Sequence, residues 1–174
     1  MNQTIIDCLM SSEVLKLARH FDGIKKKNST CSVVSFDFDD TLYDNTCMFS
    51  NRINVFRNLM KSDNIFSLIV TARQKIERII EIKEFCEYHN IAQYLPFIVY
   101  NARNKDIILD ILKIDMHFDD DISSTINITN KKIPVMFMGE FLNSEIVKIW
   151  TESLEEKNIS QYYNLNDKQK IIMV

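Results

Sequence analysis

The sequence predicts an α/β protein: a three-layer sandwich built on a parallel sheet of about five strands, with helices on both faces and no large cap domain. Three observations predict it. Short apolar, β-branched runs recur at 31–36, 65–70, 97–100, 116–118 and 134–138, rich enough in apolar residues to be strands buried on both faces. Longer segments with helical spacing lie between most of them, and that alternation implies parallel strands joined by right-handed crossovers. The 174 residues include only two Gly and two Pro, so no flexible linker is visible. The chain therefore reads as a single domain over 1–174, with a core at about 31–155, an N-terminal helix and basic turn in 1–30, and a tail at 156–174.

From the N-terminus, residues 11–21 form an amphipathic helix, with Val14, Leu15, Leu17, Ala18 and Phe21 largely on one side and Ser11 or Ser12 as its cap. Lys25, Lys26 and Lys27 follow as a solvated turn. The strand at 31–36 runs directly into Asp37-Phe38-Asp39-Asp40-Thr41-Leu42. A helix at 51–60 precedes the strand at 65–70, which ends in Thr71-Ala72-Arg73. The helix at 74–89 is periodic through Ile76, Ile79, Ile80, Ile82, Phe85 and Cys86. The strand at 97–100 leads through Asn101 and Arg103 to Lys105, which opens a helical pattern of Ile107, Ile108, Ile111 and Leu112. The strand at 116–118 runs into Asp119-Asp120-Asp121, and a fifth strand at 134–138 and a helix at 143–154 complete the order.

Ligands of parallel sheets bind at the carboxyl ends of the strands, where all of these polar residues fall. Asp37 and Asp39 are separated by the strand period of two, so extended backbone would aim both to one side. Two close carboxylates repel unless a cation or hydrogen-bond donors compensate, which makes Mg²⁺ the natural third party. Such a pair can bind a hard metal and attack phosphorus. Each position also has a plainer reading: the acidic loop as a helix cap, Thr71 as a β-branched strand residue, Lys105 as a solvated lysine with Lys75 and Lys113 as rivals, and Asp119 to Asp121 as an N-cap run. Arg73 either holds a substrate phosphate or base, or pairs with a surface carboxylate.

Together these elements resemble the haloacid dehalogenase (HAD) superfamily of phosphohydrolases over roughly 31–140. Asp37, Asp39, Thr41 and Leu42 match its first motif, DxDx[TV]L. Thr71 matches the second, Lys105 the third and Asp119-Asp120 the fourth. The resemblance implies that Asp37 is the nucleophile that forms an aspartyl-phosphate, and that Asp39 protonates the leaving oxygen and later activates water. It implies that Thr71 donates to a phosphoryl oxygen and that Lys105 offsets the charge of Asp37 and phosphate. Mg²⁺ would sit between the Asp37 carboxylate, the Asp39 carbonyl and Asp120, chosen over Asp119 because the family binds metal at the second position of that pair, with Asp121 an extra acid. Asp40 departs from the glycine common in the family, and is expected to turn away and cap the next helix.

The gaps between Tyr43 and Ile65 and between Arg73 and Lys105 are too short for a separate cap domain, so the site is expected to be open. Capless relatives include polynucleotide 3′-phosphatases and small magnesium-dependent phosphatases, and Thr71-Ala72-Arg73 is similar to the pyrimidine 5′-deoxynucleotidase branch and phage-type members. A nucleotide or a nucleic-acid 3′-phosphate end is the leading substrate, with Arg73 and Arg103 beside Lys105 to bind it. Phosphoprotein or small-metabolite phosphatase and noncatalytic binding protein are the alternatives. A receiver domain is excluded by acids, rather than Thr and Lys, at the end of the late strand. A metal nuclease would not need lysine and threonine in this order.

A formal net charge of −3 argues against strong nonspecific nucleic-acid binding. The basic run 25–27 precedes the first strand, at the sheet edge opposite Asp37. Cys8, Cys31, Cys47 and Cys86 form no zinc pattern and suit a reducing compartment. No apolar run reaches about 20 residues, and no signal peptide is visible, so a soluble cytoplasmic protein is expected, in host cytoplasm if the Ile-, Asn- and Lys-rich composition is viral.

Overall fold

A computed structural model describes residues 11–43, 52–121, 135–136 and 169–174. Helix α1 (Ser12–Lys27) is followed by β1 (Ser32–Phe36), α2 (Arg52–Met60), β2 (Ile65–Val70) and α3 (Ile76–Tyr88). After a 3₁₀ turn at Ala92–Tyr94 come β3 (Phe97–Tyr100), α4 (Lys105–Ile111), β4 (Met116–Phe118), β5 (Val135–Met136) and β6 (Lys170–Met173). The strands form one sheet in the order β5-β4-β1-β2-β3-β6, and every pairing is parallel. The chain winds outward from β1 through β2 to β3, then returns to place β4 on the other side of β1. That reversal makes a switch point beyond the carboxyl ends of β1 and β4, the usual ligand position in open α/β sheets.

Alternation along the strands sorts the core into two layers. Val34, Phe36, Ile65 and Ile69 pack with Phe56, Leu59 and Met60 of α2 and Ile79, Ile82 and Cys86 of α3. Val33, Phe66, Leu68 and Val70 face the other way, onto Val14, Leu17, Phe21 and Ile24 of α1 and Ile108 and Leu109 of α4. Phe36 stacks on Phe118 across β1 and β4 at 5.0 Å, and Phe56 closes on Phe36 edge-on at 4.9 Å. Among the described residues none builds a separate cap, and no helix is long and apolar enough to cross a membrane.

Two departures from the expected elements have physical causes. Helix α1 runs through Lys27 and absorbs the supposed basic turn, because Ile24 extends the buried row of Val14, Leu17 and Phe21 and cations favour a helix C-terminus. Lys25 pairs with Asp115 at 2.7 Å, at the edge of the sheet away from the acids. The sixth strand, β6, lies within the tail at 156–174, beyond the five strands expected. It extends the sheet beside β3, and Ser11, the α1 cap, donates to the Met173 carbonyl at 2.6 Å. Cys31 and Cys86 are both buried. Pro134, residues 137–138, the helix expected at 143–154, Cys8 and Cys47 lie outside the described residues.

Candidate active site

Parallel register sets Ser35 beside His117 and Phe36 beside Phe118. The ladder continues one step further, where the Asp37 N–H donates to the Phe118 carbonyl at 2.8 Å. Period two then carries Ser35, Asp37, His117 and Asp119 to the α4 side of the sheet. The first residue of α4, Lys105, lies there. Its buried ammonium is 2.9 Å from Asp37 Oδ1 and 2.7 Å from Asp119 Oδ2. His117 Nε2 approaches the same Asp119 oxygen at 3.0 Å, and its Nδ1 is 2.7 Å from Ser35 Oγ. Asp119 Oδ1 accepts the Asp121 N–H at 3.0 Å. A continuous polar chain therefore runs from Ser35 through His117, Asp119 and Lys105 to Asp37.

The charges along this chain are set by burial and by the single cation. Burial lowers the His117 pKa, so its imidazole is neutral and carries one proton. A carboxylate can only accept, so that proton lies on Nε2 and Nδ1 accepts from the Ser35 hydroxyl. Burial would raise the Asp119 pKa, but the His117 hydrogen bond and the Lys105 charge hold it below the usual carboxylate range. Burial alone would neutralise Lys105, yet Asp37 and Asp119 keep it charged. Asp37 is raised to about 7, because burial and the nearby Asp119 outweigh its contact with Lys105. The Asp120 pKa is raised by partial burial and by Asp119. Ser35→Ala removes the donor to a wholly buried ring nitrogen, and is expected to lower unfolding free energy by about 1–3 kcal/mol, read from denaturant midpoints.

The other expected residues divide. Thr71 is buried at the end of β2, where its hydroxyl accepts the Arg73 N–H at 3.3 Å. Arg73 grips Asp39 through two hydrogen bonds, Nη2 to Oδ1 at 2.6 Å and Nε to Oδ2 at 2.9 Å. Its third nitrogen reaches the Arg78 carbonyl and Glu81. The guanidinium also lies over the Phe38 ring, 4.8 Å from its centroid. Arg73 thus pairs with a carboxylate of the first acidic motif itself. Arg103 is exposed and donates to Gln74 at 2.5 Å. Of the rival lysines, Lys113 pairs with Asp22 on the surface, and Lys75 is exposed at the cap of α3.

Asp37, Asp119 and Asp120 each offer a carboxylate oxygen, all within 4.8 Å of one another. Three carboxylates at the switch point, two of them on buried residues and one on an exposed residue, could hold a metal ion, and an all-oxygen set suits a hard cation. Comparison with protein-family models, with curated proteins and with solved structures finds no match to this chain. The site's geometry therefore carries the functional argument. Ser35, His117, Glu81 and Arg52 contribute contacts that the motif reading missed. Ser35 and His117 each stand two residues before an expected site acid, which is a signal the strand period could have supplied.

Proposed function

We propose that this chain is a Mg²⁺-dependent phosphomonoesterase of the HAD type. The observation that carries the reading is the buried lysine of α4 bridging Asp37 and Asp119, with Asp120 completing a three-carboxylate set at the switch point of the sheet. Asp37 attacks phosphorus to form an aspartyl-phosphate, and Lys105 offsets the negative charge that gathers on the transferring group. Thr71 binds a phosphoryl oxygen through its hydroxyl proton. Asp37 and Asp120, with the main-chain carbonyl of Asp39, would hold Mg²⁺, and Asp119, whose Oδ2 is taken by Lys105 and His117, is the third carboxylate of the set. The ion, when bound, polarises the phosphoryl group as a Lewis acid.

Asp39 protonates the leaving oxygen and then activates water, which requires its pair with Arg73 to open or exchange as substrate arrives. Phosphate entering beside Arg73 competes for the same guanidinium. A nucleotide or a nucleic-acid 3′-phosphate end is the proposed substrate, because the described residues show no cap over the switch point and the few cations nearby suit a terminal phosphate. Phosphoproteins and small phosphorylated metabolites are the alternatives. The test is hydrolysis of an aryl phosphate with Mg²⁺, followed by 3′-phosphorylated oligonucleotide against deoxynucleoside monophosphates. Turnover that disappears on chelation supports the reading. Absence of turnover across the panel would favour a noncatalytic phosphate-binding role.

A further inference from the structure

The turn after Asp39 is held by an arginine from another element. Asp40 has φ 56°, in the left-handed region that a Cβ disfavours and that Gly occupies without steric cost. From one side the turn is closed by the Phe38 carbonyl, which accepts the N–H groups of Thr41 at 3.3 Å and Tyr43 at 2.9 Å. From the other side Arg52 Nη1 donates to the carbonyls of Asp40 at 2.8 Å and Thr41 at 3.2 Å. Arg52 is itself buried, and it opens α2, whose Phe56, Leu59 and Met60 are fixed in the core against β1 and β2. The expected helix cap at Asp40 is not found on α2, which starts only at Arg52. What Asp40 offers α2 is its carbonyl.

We infer that Arg52 is a positioning residue for Asp37 and Asp39. By drawing two consecutive carbonyls toward the core it keeps Asp40 in a conformation the residue does not favour, and that turn sets the direction in which Asp39 leaves the strand. The flanking carboxylates then keep their separation without a glycine at position 40. The role in turnover rests on the phosphatase reading, whereas the clamp itself does not. Both bonds come from Nη1, so a lysine, whose ammonium ends one bond short of that position, would not reach both carbonyls, and an apolar residue would leave both without this donor.

The test is a double-mutant cycle on the full chain: wild type, Arg52→Met, Asp40→Gly and the double variant, with Arg52→Lys replacing Arg52→Met if that protein does not fold. Urea midpoints give the first readout. Arg52→Met should lower the midpoint, and Asp40→Gly should gain less in that background than in wild type, because without the clamp Asp40 is free to leave the strained turn. Turnover of an aryl phosphate with Mg²⁺ gives the second. Misplacing a reacting group costs on the order of tenfold to a hundredfold in kcat, and Asp40→Gly should restore part of that loss while KM stays nearly constant. Equal effects of Asp40→Gly in both backgrounds would overturn the clamp. Unchanged kcat in Arg52→Met, or a kcat loss that Asp40→Gly does not reduce, would overturn the positioning role. If wild type hydrolyses no phosphate ester, the phosphatase reading and the positioning role fall with it, and the urea cycle alone decides whether the clamp stands.

Discussion

Asp37→Asn is expected to abolish turnover and, at pH 8 in the presence of a chelator, to make the fold more stable than wild type. The first effect follows from loss of the attacking oxygen: an amide cannot form the acyl phosphate, so a rate loss of roughly a thousandfold or more is expected. The second follows from linkage. Asp37 has a folded pKa of about 7, against 3.8 for an unperturbed Asp, because burial penalises its charge more than Lys105 relieves it. Between those values the folded chain binds more protons than the unfolded chain, so stability is highest at acid pH and falls as pH rises toward 7. An uncharged Asn escapes that loss. The gain at pH 8 is on the order of 2–4 kcal/mol, vanishes near pH 4, and shrinks when Mg²⁺ is added to wild type. Denaturant midpoints at pH 4.5 and 8, with and without Mg²⁺, check every part of this. A variant less stable than wild type at pH 8 would mean that the Asp37 charge is well compensated by Lys105 alone.

Lys105→Met is expected to give the largest loss of stability in the chain. Methionine keeps most of the apolar stem but removes an ammonium that contacts two buried carboxylates. Breaking a buried ion pair by deleting one partner typically costs about 3–5 kcal/mol, because the remaining charge is left in a medium that solvates it poorly. Asp119 bears most of this, being fully buried and held in its charged form by His117 and Lys105. Asp37 escapes in part by taking up a proton, so its pKa should rise further. Mg²⁺ can stand in for the missing cation, and should recover more stability in Lys105→Met than it adds to wild type. Calorimetric melting with and without the metal measures this difference. A loss below about 1 kcal/mol would show that the bridge is not the cation on which these acids depend.

The principal strands and the ends where acids, Thr71 and Lys105 gather were legible because a buried parallel strand is a continuous apolar run whose polar residues start where burial stops. Asp37 and Lys105 converge for the same reason: each stands at the boundary between an element and the sheet edge. Strand β6 was not legible, since Lys170-Ile171-Ile172-Met173 is short and follows a long stretch with no pattern to anchor it. The partner of Arg73 was legible only as a choice between substrate and carboxylate. That the carboxylate is Asp39 depends on how two turns meet across β1 and β2, which sequence spacing does not encode. Arg52 was hidden for a related reason, because a charged residue at a helix start ordinarily faces water and only packing reveals that it is buried.

The measurement that bears most directly on the central assignment is a denaturing quench during turnover of an aryl phosphate with Mg²⁺, with peptide mapping by mass spectrometry. The account predicts one hydroxylamine-labile phosphoryl group on Asp37, absent when the metal is chelated and absent in Asp37→Asn. Steady turnover with the phosphoryl group on another residue, or turnover that survives in Asp37→Asn, would contradict it.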